Sequence, residues 1–117
     1  MDFKNIIEKV RQIRRLYNKL NYQENYKSWG VSEYTQGLIG DVGDLTKLVM
    51  AKRGLRFKSG NIDEKIKREL SDCLLSILII ADELKIDMEK EFIKTIKHLQ
   101  EKITGRKVLR NKKRHAK

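Results

Sequence analysis

Two pairs of acidic residues, Asp41-x-x-Asp44 and Glu69-x-x-Asp72, are the part of this sequence best suited to chemistry. Helical residues three apart share a face, with Cβ atoms about 5–6 Å apart. If two such helices pack side by side, four carboxylates converge. Uncompensated, they repel one another and resist desolvation. A hard divalent cation removes that cost. Magnesium takes oxygen ligands, keeps several waters and recruits substrate phosphates. It can polarise a phosphoryl oxygen and lower the pKa of a bound water. Helical bundles build such sites from inward-facing acids. No Glu-x-x-His pair is present, which disfavours a di-iron carboxylate site, and His98 and His115 are too few and too late for zinc. Acid pairs at this spacing also occur on solvated helix faces, so spacing alone leaves both readings open. The neighbours favour the metal: the first pair lies in the glycine-rich, otherwise apolar stretch Gly37–Leu45, and the second precedes the apolar run Leu74–Ala81.

Positioning these acids requires helices, and the periodicity predicts four. The first spans Asp2 to Leu20, with Phe3, Ile6, Ile7, Val10, Ile13, Leu16, Tyr17 and Leu20 on one face and Asp2 as N-cap. Asn21 to Gly30 reads as a loop. Its aromatics Tyr22, Tyr26 and Trp29 could stack on a base or roof a core. The second helix runs from an N-cap at Ser32 to a stop at Gly54. Leu38, Val42, Leu45 and Val49 form its expected core face. A second stripe holds Gly37, Asp41, Asp44, Leu48 and Ala51. Gly37, Gly40 and Gly43 recur every three residues, each costing roughly 0.5–1 kcal/mol in a helix. Close approach of a ligand or of another helix would explain them. They make no phosphate-binding loop, because neither Gly-x-Gly-x-x-Gly nor Gly-Lys-Ser/Thr follows a strand.

A basic loop follows, Arg53 to Asn61. The third helix is expected over Ile62 to Leu84, with Ile66, Leu70, Cys73, Ile77, Ala81 and Leu84 as its main face. Leu75, Leu78 and Ile79 lie on other faces, so its middle is apolar nearly all round, which points to a subunit interface as well as a core. The fourth helix starts at an Asp87 cap, carries Met88, Phe92, Ile96, Leu99 and Ile103, and is expected to stop at Gly105. No strand pattern or repeat appears. The fold class read here is all-α: four main helices in an antiparallel bundle completed by oligomerisation, with a helical domain over 1–105 and a basic C-terminal tail over 106–117.

Composition is consistent with this. Absence of proline and abundant Leu, Ile, Lys and Glu favour long helices. The single cysteine, Cys73, excludes an intrachain disulfide framework. No apolar leader follows Met1, and the longest apolar stretch falls far short of the roughly 20 residues of a membrane span. A cytoplasmic location and no membrane partner are expected. The net charge of +11 comes in large part from Arg106, Lys107, Arg110 and Asn111–Lys117. Such a run can contact nucleic acid weakly or be a solvated tail.

With these motifs in place, the chain resembles the MazG-like, all-α nucleoside triphosphate pyrophosphohydrolases, which include dCTP pyrophosphatases. The likeness rests on Gly40-Asp41-Val42-Gly43-Asp44-Leu45, on Glu69-Leu70-Ser71-Asp72 ahead of an apolar run, and on Ala81-Asp82 followed by Lys85-Ile86-Asp87-Met88. It covers about Lys27 to Ile103. The first pair is Asp/Asp where the family usually has Glu/Glu, and Ser76 stands where an aromatic often follows.

The resemblance implies that Asp41, Asp44, Glu69 and Asp72 are the catalytic, metal-binding residues, holding Mg²⁺ or Mn²⁺ in its place. It implies cleavage of a nucleoside triphosphate to monophosphate and pyrophosphate, by a homodimer or homotetramer. Trp29, placed like a tryptophan near the base in related enzymes, Lys47 and Ser76 are the substrate-binding candidates. A contrasting reading is a non-catalytic helical interaction or nucleic-acid-binding protein that uses the basic tail; such a module has no need of four acids at these positions.

Overall fold

A computed structural model describes residues 1–115, with side chains through Arg106 and at Arg110. The basic tail Asn111–Lys117 therefore lies outside the described side chains. The chain is all-helical as expected: α1 (Phe3–Gln23), α2 (Val31–Lys52), α3 (Ile62–Glu83) and α4 (Met88–His115), with no strand among the described residues. It divides into two compact units, Met1–Ile86 and a second beginning at Asp87. None of the described helices is long and apolar enough to cross a membrane.

Local chemistry sets the helix ends. Asp2 caps α1 by accepting from the Asn5 N–H at 2.9 Å, and Asn61 caps α3 by accepting from Glu64 N–H at 3.2 Å. α1 continues three residues beyond the expected Leu20, to Gln23, because nothing there breaks a helix; the turn is made later by Asn25 at φ 62°. α2 starts at Gly30 rather than at Ser32. Glu33 reaches back to accept the Gly30 N–H at 3.1 Å, which fixes the entry one turn before its own position. Ser32 lies inside the first turn, where its hydroxyl accepts from Gln36. Gly54, at φ 74°, ends α2 as expected: its N–H donates to Ala51 and the Leu55 N–H to Met50.

α2 and α3 form a helical hairpin. Lys52 pairs with Asp63 at the turn, and Tyr34, at the other end of α2, lies within the field of Glu83 at the other end of α3. The two helices are therefore antiparallel. Their seam follows a four–three spacing. On α2 it comprises Tyr34, Leu38, Asp41, Leu45 and Leu48, and on α3 Ile66, Glu69, Cys73, Ser76 and Ile80, all buried or half-buried.

This corrects the expected core face of α2. Leu38 and Leu45 do turn inward, but Val42 and Val49 are 47% and 42% exposed, whereas Leu48 is 4% exposed. Tyr34 and Leu48 are the buried residues of α2, and Asp41, seven residues from each, turns inward on the same stripe. In α3, the expected main-face residues Leu70, Ile77 and Leu84 are exposed, while Leu78 and Ile79 are buried. Those two belong to the internal core and not to the spare surface assigned to them from sequence. The reason is that α3 is covered from two sides, by α2 and by α1.

α1 is fastened to α3 by ion pairs. Arg11 Nε donates to Asp82 Oδ1 at 2.7 Å, Arg14 lies 3.6 Å from the other Asp82 oxygen and also bonds Glu83. The Asp82 side chain is only 11% exposed. Its charge and hydrogen bond hold the Arg11 guanidinium above its ordinary pKa.

The second unit holds α4. Asp87 caps it, accepting from the Lys90 N–H at 3.1 Å. The helix does not stop at Gly105 but runs through it to His115. No proline follows, the flanking residues are good helix formers, and the roughly 1 kcal/mol cost of one glycine does not end such a run. The backbone thus crosses the expected 105/106 boundary without a break.

Candidate metal centre

Asp41 and Glu69 both occupy seam positions, where a coiled-coil register calls for apolar side chains. Each is half-buried. Asp44, one turn along α2, is exposed, yet one of its oxygens lies within 4.8 Å of an oxygen from each of the other two. The structure thus brings together Asp41, Asp44 and Glu69. Asp72 is exposed and lies outside this trio, on the next turn of α3, close enough for its charge to act on Asp41, Glu69 and Cys73.

The electrostatics follow from that placement. Burial raises the Asp41 carboxyl above its ordinary pKa, and the Asp72 and Asp44 charges push the same way. Glu69 is raised by burial and then by Asp41, Asp44 and Asp72, with the Arg68 guanidinium partly opposing. Cys73, one turn from Glu69 and 8% exposed, has its thiol raised by burial and by the same acids. Glu69 Oε2 is buried with no hydrogen-bond partner. A buried acceptor without a donor costs free energy, and a cation or a donor at this oxygen would remove that cost. An all-oxygen set of three carboxylates suits Mg²⁺ or Mn²⁺ rather than a soft metal.

The glycine spacing separates into two cases. Only Gly37 has a close neighbour, since a Cβ there would sit 3.4 Å from the Trp29 ring; nothing lies within 4 Å of a Cβ at Gly40 or Gly43. Gly40 and Gly43 flank Asp41, and within the first unit the backbone beside it is open.

Trp29 bridges the sequence expectations. Its ring lies on Gly37 and meets Tyr34 edge-on, with centroids 5.4 Å apart at 70°. It therefore roofs the end of the seam, yet it remains 45% exposed. Gly37 precedes Asp41 by four residues, about 6 Å along the helix, so the free part of the ring stands one turn from the acids. Ser76 is half-buried on the seam, two turns from Glu69. Lys47 is exposed, three residues beyond Asp44, and has no carboxylate within salt-bridge distance among the described residues.

Sequence reasoning assigned no role to Arg11 or Arg14. Arg14, set between Val10 and Tyr17 on the apolar stripe of α1 with Arg11 beside it, was the available signal, but its partners lie 69–71 residues away. Compared with known proteins, the chain matches no family model, no curated protein and no solved structure.

Proposed function

We propose that this chain is a Mg²⁺-dependent nucleotide pyrophosphohydrolase, cleaving a nucleoside or deoxynucleoside triphosphate to monophosphate and pyrophosphate. The observation that carries the reading is the convergence of Asp41, Asp44 and Glu69 around an unpartnered, buried Glu69 oxygen. In this reading Asp41 and Glu69 hold the cation from the seam, Asp44 closes the set from the rim, and Asp72 adds negative field beside it. A cation held by these carboxylates would supply positive charge to a phosphoryl oxygen and to a nearby water. Water attacks the α-phosphorus and gives up its proton to solvent, the bond from that phosphorus to the α–β bridging oxygen breaks, and pyrophosphate leaves with the bridging oxygen. Trp29 offers its exposed ring to the base, with Ser76 and Lys47 as further contacts. The resemblance to MazG-like enzymes, carried by the same residues, supports the reaction class.

The same reading includes a homodimer or homotetramer. Leu70, Leu74, Ile77 and Leu84 follow one another at helical spacing along α3 and are 40–56% exposed. Exposed apolar side chains aligned in this way suit an interface.

The deciding experiment is a screen of nucleoside triphosphates with Mg²⁺, detecting pyrophosphate and monophosphate separately. Equimolar pyrophosphate and monophosphate, lost in Glu69→Gln, is the expected result. Release of orthophosphate, or no turnover with any nucleotide, overturns the proposal.

A further inference from the structure

The turn between α2 and α3 presents an aromatic among cations, away from the acids. Phe57 is 89% exposed and Leu55 62% exposed. A phenylalanine so fully in water is unusual in a folded unit. Around them stand Arg53, Arg56 and Lys58, all exposed, and among the described residues none of the three has a carboxylate within 4 Å. The nearby acids are already engaged: Asp63 pairs with Lys52 at 2.6 Å, and Glu64 with Lys67 at 3.0 Å.

The loop is pinned at both ends. On one side Gly54 takes a positive φ and closes α2 through the bonds to Ala51 and Met50. On the other, Gly60 has φ 88°, Asn61 caps α3, and the Lys65 ammonium donates to the Ser59 carbonyl at 2.6 Å. The Lys52–Asp63 pair ties the two ends together. The ends of the loop are therefore fixed before anything binds, which limits the backbone entropy lost on association.

We propose that the loop Arg53–Gly60 binds single-stranded nucleic acid, with Arg53, Arg56 and Lys58 on phosphates and a base stacked on Phe57. Cations alone would accept any anion; the exposed aromatic face beside them adds a surface on which every base can stack. A membrane surface is the weaker match, because two apolar side chains without an amphipathic helix bury little area in a bilayer. A single nucleoside triphosphate at the acids does not account for the loop either. Phe57 lies 13 residues beyond Asp44, and the nine helical residues to Arg53 alone rise about 13 Å. The proposal is independent of nucleotide hydrolysis.

The test is fluorescence anisotropy of the full-length protein with a labelled oligothymidylate of about 20 nucleotides, in EDTA, at about 50 and 200 mM salt. Wild type should bind, and more weakly at the higher salt. Phe57→Ala should weaken binding about five- to hundredfold at both salts with the salt slope unchanged. The double variant Arg56→Gln, Lys58→Gln should lower the slope by about 1.4, at about 0.7 per single-strand phosphate. All three positions are exposed, so circular dichroism should show unchanged folding. Absence of binding at low salt, wild-type binding by both variants, or tighter capture by phosphatidylserine vesicles than by the oligonucleotide would each overturn the proposal.

Discussion

Replacing Asp44 with asparagine separates the cost of the acid cluster from its use. The three carboxylates present oxygens within 4.8 Å of one another. At that separation two unit charges repel by about 0.9 kcal/mol in a water-like medium, and several times more where solvent is partly excluded. Asp44 is exposed, so the lower figure applies to its two pairs. Asp44→Asn keeps the shape, removes both pairs and should stabilise the metal-free protein by about 1–2 kcal/mol. For a domain of this size that is a rise in Tm of about 3–12 °C. In wild type, Mg²⁺ at a hundredfold excess over its Kd should stabilise by about 2.7 kcal/mol. The variant should lose most of that gain, because the set is reduced to two charges. The two effects are opposite in sign, which makes the comparison diagnostic.

Thermal unfolding followed by circular dichroism, with EDTA and with saturating Mg²⁺, measures both. The expected order of Tm is wild type in EDTA lowest, the variant intermediate and nearly insensitive to Mg²⁺, and wild type with Mg²⁺ highest or equal to the variant. If Asp44→Asn lowers Tm in EDTA, the carboxylates are not in mutual repulsion. If both proteins gain equally from Mg²⁺, the cation binds elsewhere. Either result refutes the reasoning.

Four further outcomes follow from the packing. Because the folded Asp41 and Glu69 carboxyls have raised pKa values, the folded state holds protons that the unfolded chain releases. Their contribution to stability is full below the ordinary carboxylate range and is lost as pH rises through the folded values; the Tm advantage of Asp41→Asn over wild type in EDTA should therefore grow with pH through that window and then level off. Asp82→Ala removes the acceptor shared by Arg11 and Arg14 and should cost about 1.5–3 kcal/mol, read as a lower urea midpoint at unchanged m-value. Gly40→Ala and Gly43→Ala meet no atom within 4 Å and should each stabilise the metal-free protein by about 0.5–1 kcal/mol; destabilisation would mean that a partner chain packs there. Leu74→Glu, in the 56%-exposed centre of the α3 stripe, should shift sedimentation toward monomer without lowering helix content, and a wild type already monomeric at high micromolar concentration would remove the interface.

Much of the first unit was legible because its signals are local. Asp2, Gly54 and Asn61 mark ends through their own side chains or backbone freedom, and the acid pairs are close in sequence. Two features were not legible, for different reasons. Pairing Arg11 and Arg14 with Asp82 and Glu83 spans 69–71 residues, and periodicity within a helix says nothing about which helix it meets. The orientation of α2 was misread because hydropathy ranks Val42 and Val49 above Asp41 and Gly37. The buried anchors are Tyr34 and Leu48, seven residues either side of Asp41, and their burial carries Asp41 inward.

That misreading bears on the function. A helix that turned Val42 and Val49 inward would leave Asp41 and Asp44 on a wet face, where acid pairs are common and need no explanation. With Leu48 in the core instead, Asp41 shares its seam, opposite Glu69 on α3. Each acid then gives up part of its hydration and faces like charge, and neither cost is offset by a basic side chain, since Arg68 opposes only part of the field on Glu69. Among the described residues no lysine or arginine lies within salt-bridge distance of Asp41, Asp44 or Glu69. Arg11 and Arg14 show that the chain can neutralise a poorly exposed carboxylate when the task is fastening one helix to another. The contrast between Asp82, held by two arginines, and Glu69, whose buried oxygen has no partner among the described residues, is what the proposed cation site would explain.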